Sequence, residues 1–126
     1  MSDSIQETAL EKLKEVINAG LSRASNSDRL ANEAQSNIEA SRNRITEIEK
    51  QVKKNPKLKE SLLNEYKLER KKAQAEEVRQ SSHCSFSAIH RENAIGAYSY
   101  WAAITPEEFM KIHQEEILDL VYKYAA

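Results

Sequence analysis

The sequence predicts an all-α protein: a long antiparallel two-helix coiled-coil hairpin with a third C-terminal helix packed at the termini end. Three observations carry this. Charged residues make up 31% of the chain and aromatics 6%, with only two glycines among 126 residues, which is the composition of long helices. An apolar stripe holds one heptad phase through most of the first half. One of the two prolines falls nearly midway, where a hairpin would turn. The length is that of a single helical domain, residues 1–126.

Helix one is predicted over residues 4–54. Ser4 with Glu7 three positions on reads as a capping box that starts it. Steps of seven from Leu10 land on Ile17, Ala24, Ala31, Ile38, Ile45 and Val52, all apolar. The companion positions are Leu13, Gly20, Ser27, Ala34, Ser41 and Ile48, all apolar or small. A break at Gly20 or at Ser25–Asp28 competes with one continuous helix. A break would normally lose the phase, and the phase is kept.

The turn is placed at residues 55–57, because Pro56 cannot extend the hydrogen-bond ladder and disfavours helical geometry at Asn55. Helix two follows over 58–103, with Leu58, Leu62 and Tyr66 restarting a stripe. The stripe falters at Glu69–Lys72 and resumes out of phase at Ala75, Val78, Ser82, Phe86 and Ile89. Its weakest point, where a break would fall, is the serine-rich run 81–85. Helix three is predicted over 105–125, with Thr105 as cap, Pro106 at the first position and Glu108 at the third. Its inward set is Phe109, Ile112, Ile117, Leu120, Val121 and Tyr124.

Folding about Asn55–Pro56 pairs residues whose numbers sum to roughly 111, so Leu10 meets Trp101 and Ile45 meets Tyr66. Ala24, Ser27, Ala31 and Ala34 then oppose Ala73, Ala75, Ser82 and Ser85. The wider stripe near the N-terminus, with Ala9, Val16 and Leu30 added, calls for a third helix to cover it. A three-helix end is expected from Leu10, Leu13, Val16, Ile17, Ile95, Tyr98, Trp101, Phe109 and Leu120. The Ala/Ser seam beyond it buries little apolar area against an ordering cost of ~1–2 kcal/mol per residue, so pairing of two arms in a homodimer is expected.

Charge singles out the candidate site. From Arg42 to Lys72 there are eleven Lys and Arg against five Glu, a net of +6, while the whole chain is −1 and the remainder therefore −7. Lys50, Lys53, Lys54, Lys57 and Lys59 flank the turn, and Arg70, Lys71 and Lys72 follow. These eight residues are the expected contact for a protein partner with an acidic surface. The blander account is a solvated hairpin end that uses lysine for solubility. Nucleic-acid binding through phosphates is the second functional reading. It lacks aromatic interleaving, since only Tyr66 is near, and no glycine-rich phosphate loop exists.

The remaining chemistry is sparse. Cys84 lies beside His83, with His90 and His113 farther on, but no spacing matches a zinc set and the chain has few loops to build a thiol site. Cys84 is expected as a small buried or half-buried residue and the histidines as helix surface. The acidic pairs Glu76-Glu77, Glu107-Glu108 and Glu115-Glu116 diverge on a helix and suit solvated faces. The aromatics of Ala97–Ile104, with Phe109, Tyr122 and Tyr124, are expected in the core of the three-helix end. No cofactor, metal or catalytic residue is assigned, and an enzyme is not expected. No apolar run approaches the ~20 residues of a membrane span. One cysteine and a start without a basic-then-apolar leader lead us to expect a cytoplasmic, reducing compartment. The expected function is a non-enzymatic protein–protein interaction module: an adaptor, scaffold or inhibitor.

Overall fold

The computed structural model describes residues 2–124, with side chains from residue 4 onward. Three helices follow one another: α1 over Ser2–Lys54, α2 over Leu58–Ile104 and α3 over Glu107–Lys123. The described residues contain no strand. α1 and α2 pack against each other as a hairpin, and α3 packs weakly against α1.

α1 is continuous, without a break at Gly20 or at Ser25–Asp28. Every heptad position expected on its inward face is buried or half-buried. Gly20 has a use here. A Cβ added to it would lie 3.2 Å from the His90 carbonyl oxygen and 3.3 Å from the Ala94 Cβ, so the glycine lets α2 approach closely. The expected capping box is not the start of the helix, because α1 already begins at Ser2. Ser4 sits inside the first turns, where its carbonyl accepts the Thr8 hydroxyl at 2.9 Å.

α1 ends as expected before Pro56. The Leu58 amide donates to the Asn55 carbonyl at 3.0 Å, and the Lys57 amide donates to the Asn55 side-chain oxygen at 3.3 Å. This Asx-type bond closes the turn at 55–57 and sets the start of α2.

α2 corrects the sequence reading most. It is unbroken through 81–85. Its inward face also differs from the expected one: Ala75, Val78, Ser82, Ser85, Phe86 and Ile89 are all exposed. Two series of buried or half-buried positions run along it instead: Tyr66, Ala73, Gln80, Ser87, Ala94 and Trp101, with companions Leu62, Glu69, Glu76, His83, His90 and Ala97. Both sets keep a strict seven-residue spacing. Half of this seam is polar, and three of its side chains have partners within α2 or on α1. Glu69 pairs with Lys72 at 3.5 Å, Glu76 pairs with Arg79 at 2.9 Å, and the Gln80 side chain donates to the Gln35 side-chain Oε1 at 2.6 Å.

The chain divides into two units, residues 1–27 with 85–126, and residues 28–84. In the first, Leu10, Leu13, Ile17 and Leu21 of α1 form a core with Ala94 and Trp101 of α2 and Ile117 of α3. Tyr98, Phe109, Leu120 and Tyr124 pack around it. Two residues expected in this core, Val16 and Ile95, are exposed instead. In the second unit, Ala31, Ala34, Ile38, Ser41 and Ile48 of α1 are buried together with Ala73 of α2.

α3 begins at Glu107, two residues later than expected, and no side chain caps it. Pro106 takes the cap position, with its carbonyl accepting the Met110 amide at 3.0 Å. Thr105 is therefore outside the helix. Ile117 is buried and Phe109, Leu120 and Tyr124 are half-buried, whereas Ile112 and Val121 are exposed. The last predicted residue, 125, lies outside the described residues.

Candidate functional site

Helix ends explain part of the lysine cluster. Lys53 and Lys54 occupy the last turn of α1, where cations meet the negative end of the helix dipole, and Glu60 occupies the first turn of α2. Lys50, Lys57 and Lys59 have no such role. All five lysines are exposed, and among the described residues none forms an ion pair. The turn thus gathers five cations, none of them held in an ion pair among the described residues, with Glu49 and Glu60 as the nearby acids.

The other three candidates lie apart from these. Arg70 is twelve residues beyond the start of α2, or ~18 Å along the helix. Its guanidinium sits 5.8 Å from the centre of the Tyr66 ring, a cation–π arrangement. Lys72 is held at 3.5 Å by Glu69. Lys71 is exposed.

Between the two helices at the turn lies a feature the sequence reading did not include. A groove of about 400 Å3 has an apolar floor of Ile48, Val52, Leu62, Leu63 and Tyr66, with Glu49, Lys53 and Lys59 at its edge. The signal in the sequence was Leu63, an apolar residue beside Leu62 and off the stripe. Below the groove, Arg44 donates to Glu65 at 2.7 Å and also reaches Glu47 at 3.2 Å. These bonds hold the Arg44 guanidinium above its ordinary pKa, the bond to Glu65 contributing most, and clamp α1 to α2.

The thiol and imidazoles are arranged otherwise than expected. Cys84 is exposed, not buried or half-buried. His83 and His90 are half-buried on the α2 seam. His113 is also half-buried, 4.4 Å between ring centres from Phe109. Among the described residues, no group of three His, Cys, Asp or Glu side chains is placed to hold a metal ion. No helix among the described residues is long and apolar enough to cross a membrane. The aromatics also divide: Trp101 is buried and Tyr98, Phe109 and Tyr124 line the core, while Tyr100 and Tyr122 face solvent.

Glu116 ties α3 to α1. It accepts from His113 at 3.0 Å and meets Lys14 at 3.2 Å, and these bonds, His113 first, hold its carboxyl below the ordinary value. A carboxylate with a lowered folded-state pKa stabilises the fold above its ordinary pKa of about 4.5. That contribution is lost as pH falls through the lowered value. Glu116 is about half exposed, so the effect is small, within ~1 kcal/mol. Glu116→Gln should lower the melting temperature by a few degrees near neutral pH, and progressively less as pH falls through the lowered value. A difference that persists at low pH would show that packing, not charge, is responsible.

Comparison with known proteins adds no relative: no family model, curated sequence or solved structure matches the chain.

Proposed function

We propose that this protein is a protein–protein interaction module whose hairpin turn docks an acidic partner segment. The observation that supports the reading is the juxtaposition at the turn of five exposed, unpaired lysines with an apolar groove. Such a surface fits a segment that presents carboxylates around one apolar side chain. The side chain would enter between Val52 and Leu62, and Lys53 and Lys59 would meet the acids at the edge. Cations without bound carboxylates give long-range steering, and the groove gives residence. Adaptor, scaffold and inhibitor all fit this surface.

The test replaces Lys53, Lys54, Lys57 and Lys59 together by Gln. Burial is least at the turn and surface ion pairs are worth ~0–1 kcal/mol, so the melting temperature should stay within a few degrees. Binding to a Glu-rich peptide carrying a central Leu should weaken at least about tenfold at low salt, mainly through the on-rate. Normal binding by the lysine variant would reduce the cluster to a solubilising hairpin end. Capture of duplex DNA that weakens steeply with salt, without peptide binding, would favour the phosphate reading instead.

A further inference from the structure

α2 carries a second heptad seam, on the side away from its partner in the hairpin. Phe86, Ile89, Asn93, Gly96, Tyr100 and Ala103 are spaced alternately by three and four residues, and all six are exposed. Phe86 is 51%, Ile89 49% and Tyr100 69% accessible. The inward seam already serves α1 and α3, so a second, exposed seam is the mark of a helix that packs on a further side.

Charge follows the same boundaries. From Ser81 to Ile104 the only charged residues are Arg91 and Glu92, against 31% in the whole chain. A solvated helix face would carry Lys and Glu throughout, and depletion of charge with retention of aromatics is what the centre of an interface looks like. Arg91 lies behind the seam and donates to the Ser87 hydroxyl.

Gly96 supplies an independent observation. A mid-helix glycine is destabilising by about 0.5–1 kcal/mol relative to alanine. Gly20 has a reason for being there, the close approach of His90 and Ala94. Gly96 has none among the described residues, where a Cβ added to it would meet nothing within 4 Å. It sits in the middle of the second seam.

We propose that this seam is the interface of a homodimer in which two α2 helices cross antiparallel about a two-fold axis between residues 93 and 96. The seam is complementary to itself in that register and in the antiparallel sense. Alternating heptad positions meet across an antiparallel pair, so Phe86 faces the second copy's Ala103, Ile89 its Tyr100 and Asn93 its Gly96. Every layer joins a larger residue to a smaller one, as interdigitating helices need. Gly96 gives the Asn93 amide room at the axis. A polar residue at such a position fixes register. Phe86, Ile89, Tyr100 and the adjoining exposed Ile104 supply on the order of 400 Å2 per copy. Flanking exposed Glu92 and Ser99 extend this surface towards the ~800 Å2 per partner of a specific interface. Self-association is thereby placed on α2 after Ser85, not on the Ala/Ser seam between α1 and α2, which is already buried within one chain. It does not depend on the turn, and the four-lysine variant should dimerise like the wild type.

The full chain at about 10 μM should sediment as a dimer, and Tyr100→Glu should raise the dissociation constant at least about a hundredfold with unchanged helical circular dichroism, because it buries two unpaired acids. Gly96→Leu separates this interface from mere apolar adhesion. It makes the face more hydrophobic and more helix-prone, so adhesion would strengthen, whereas the proposed close crossing weakens at least about tenfold. Spin labels on the native Cys84 place the geometry. It is 10.5 residues from the axis, so antiparallel copies separate the two labels by roughly 32 Å at 1.5 Å per residue, and parallel copies by less than ~20 Å. A monomer at 100 μM, tighter association of Gly96→Leu, or a short Cys84 distance would each overturn the proposal.

Discussion

Trp101→Ala is expected to cost about 3–5 kcal/mol and to lower the melting temperature by more than about 10 °C. Trp101 is 3% accessible and is the largest residue of a core that joins Leu10 and Leu13 of α1 to Ile117 of α3. Its neighbours are spread over three helices, each held by its own hydrogen-bond ladder, and so collapse poorly into the gap. Its ring lies 6.0 Å from that of Tyr98, at an interplanar angle of 42°, so the aromatic pair is lost along with the area. The companion variant is Trp101→Phe. The indole Nε1 is buried and has no hydrogen-bond partner among the described residues, and an unmet buried donor costs about 1–3 kcal/mol. Phenylalanine keeps most of the ring and removes that donor, so its loss should be less than half that of alanine. Equal losses for both variants, in chemical denaturation followed by circular dichroism, would show that the N–H is engaged.

Gly20→Leu should destabilise by about 1–3 kcal/mol, although leucine is the better helix former by nearly 1 kcal/mol. The reason is the identity of what a side chain would strike. The nearest atom, 3.2 Å from an added Cβ, is the backbone oxygen of His90. A flexible side chain could swing aside; a carbonyl inside α2 cannot without breaking its ladder. Gly20→Ala is a milder version of the same test. It should yield none of the ~1 kcal/mol that an exposed mid-helix Gly→Ala change provides. A gain of that size would mean α2 can shift away freely and the close approach is not a constraint.

The two long helices differ in how far the sequence disclosed them. In α1 the inward positions are apolar or small through seven heptads, so hydrophobic spacing alone marks the buried face. In α2 the inward positions include Glu69, Glu76, Gln80, His83 and His90, which bury their stems and keep polar tips paired or at the edge. The apolar residues Val78, Phe86 and Ile89 lie on the opposite side and draw the eye to the wrong face. Spacing was informative there, but residue type was not. The register followed correctly from the turn, since Arg44 meets Glu65 and Gln35 meets Gln80 near the expected pairing. The lysines of the candidate site were legible as charge. The groove beneath them was not, because it depends on how Ile48, Val52, Leu62 and Tyr66 splay at the turn.

The turn at Asn55–Pro56 also orders the events of folding. Cross-helix bonds close progressively longer loops away from it: Arg44 to Glu65 spans 21 residues, Gln80 to Gln35 spans 45, and Tyr124 to Asn18 spans 106. Going from the first span to the last adds about 1.4 kcal/mol of closure entropy, if each loop must form unaided. Forming them in sequence from the turn lowers that barrier, because each closed pair shortens the loop that the next must close. The chain is thus suited to zip from the turn outward, on the microsecond-to-millisecond scale of helical proteins with local contacts. The only tryptophan, Trp101, lies among the residues that join last. Its fluorescence therefore times the completion of folding, and helical circular dichroism should run ahead of it.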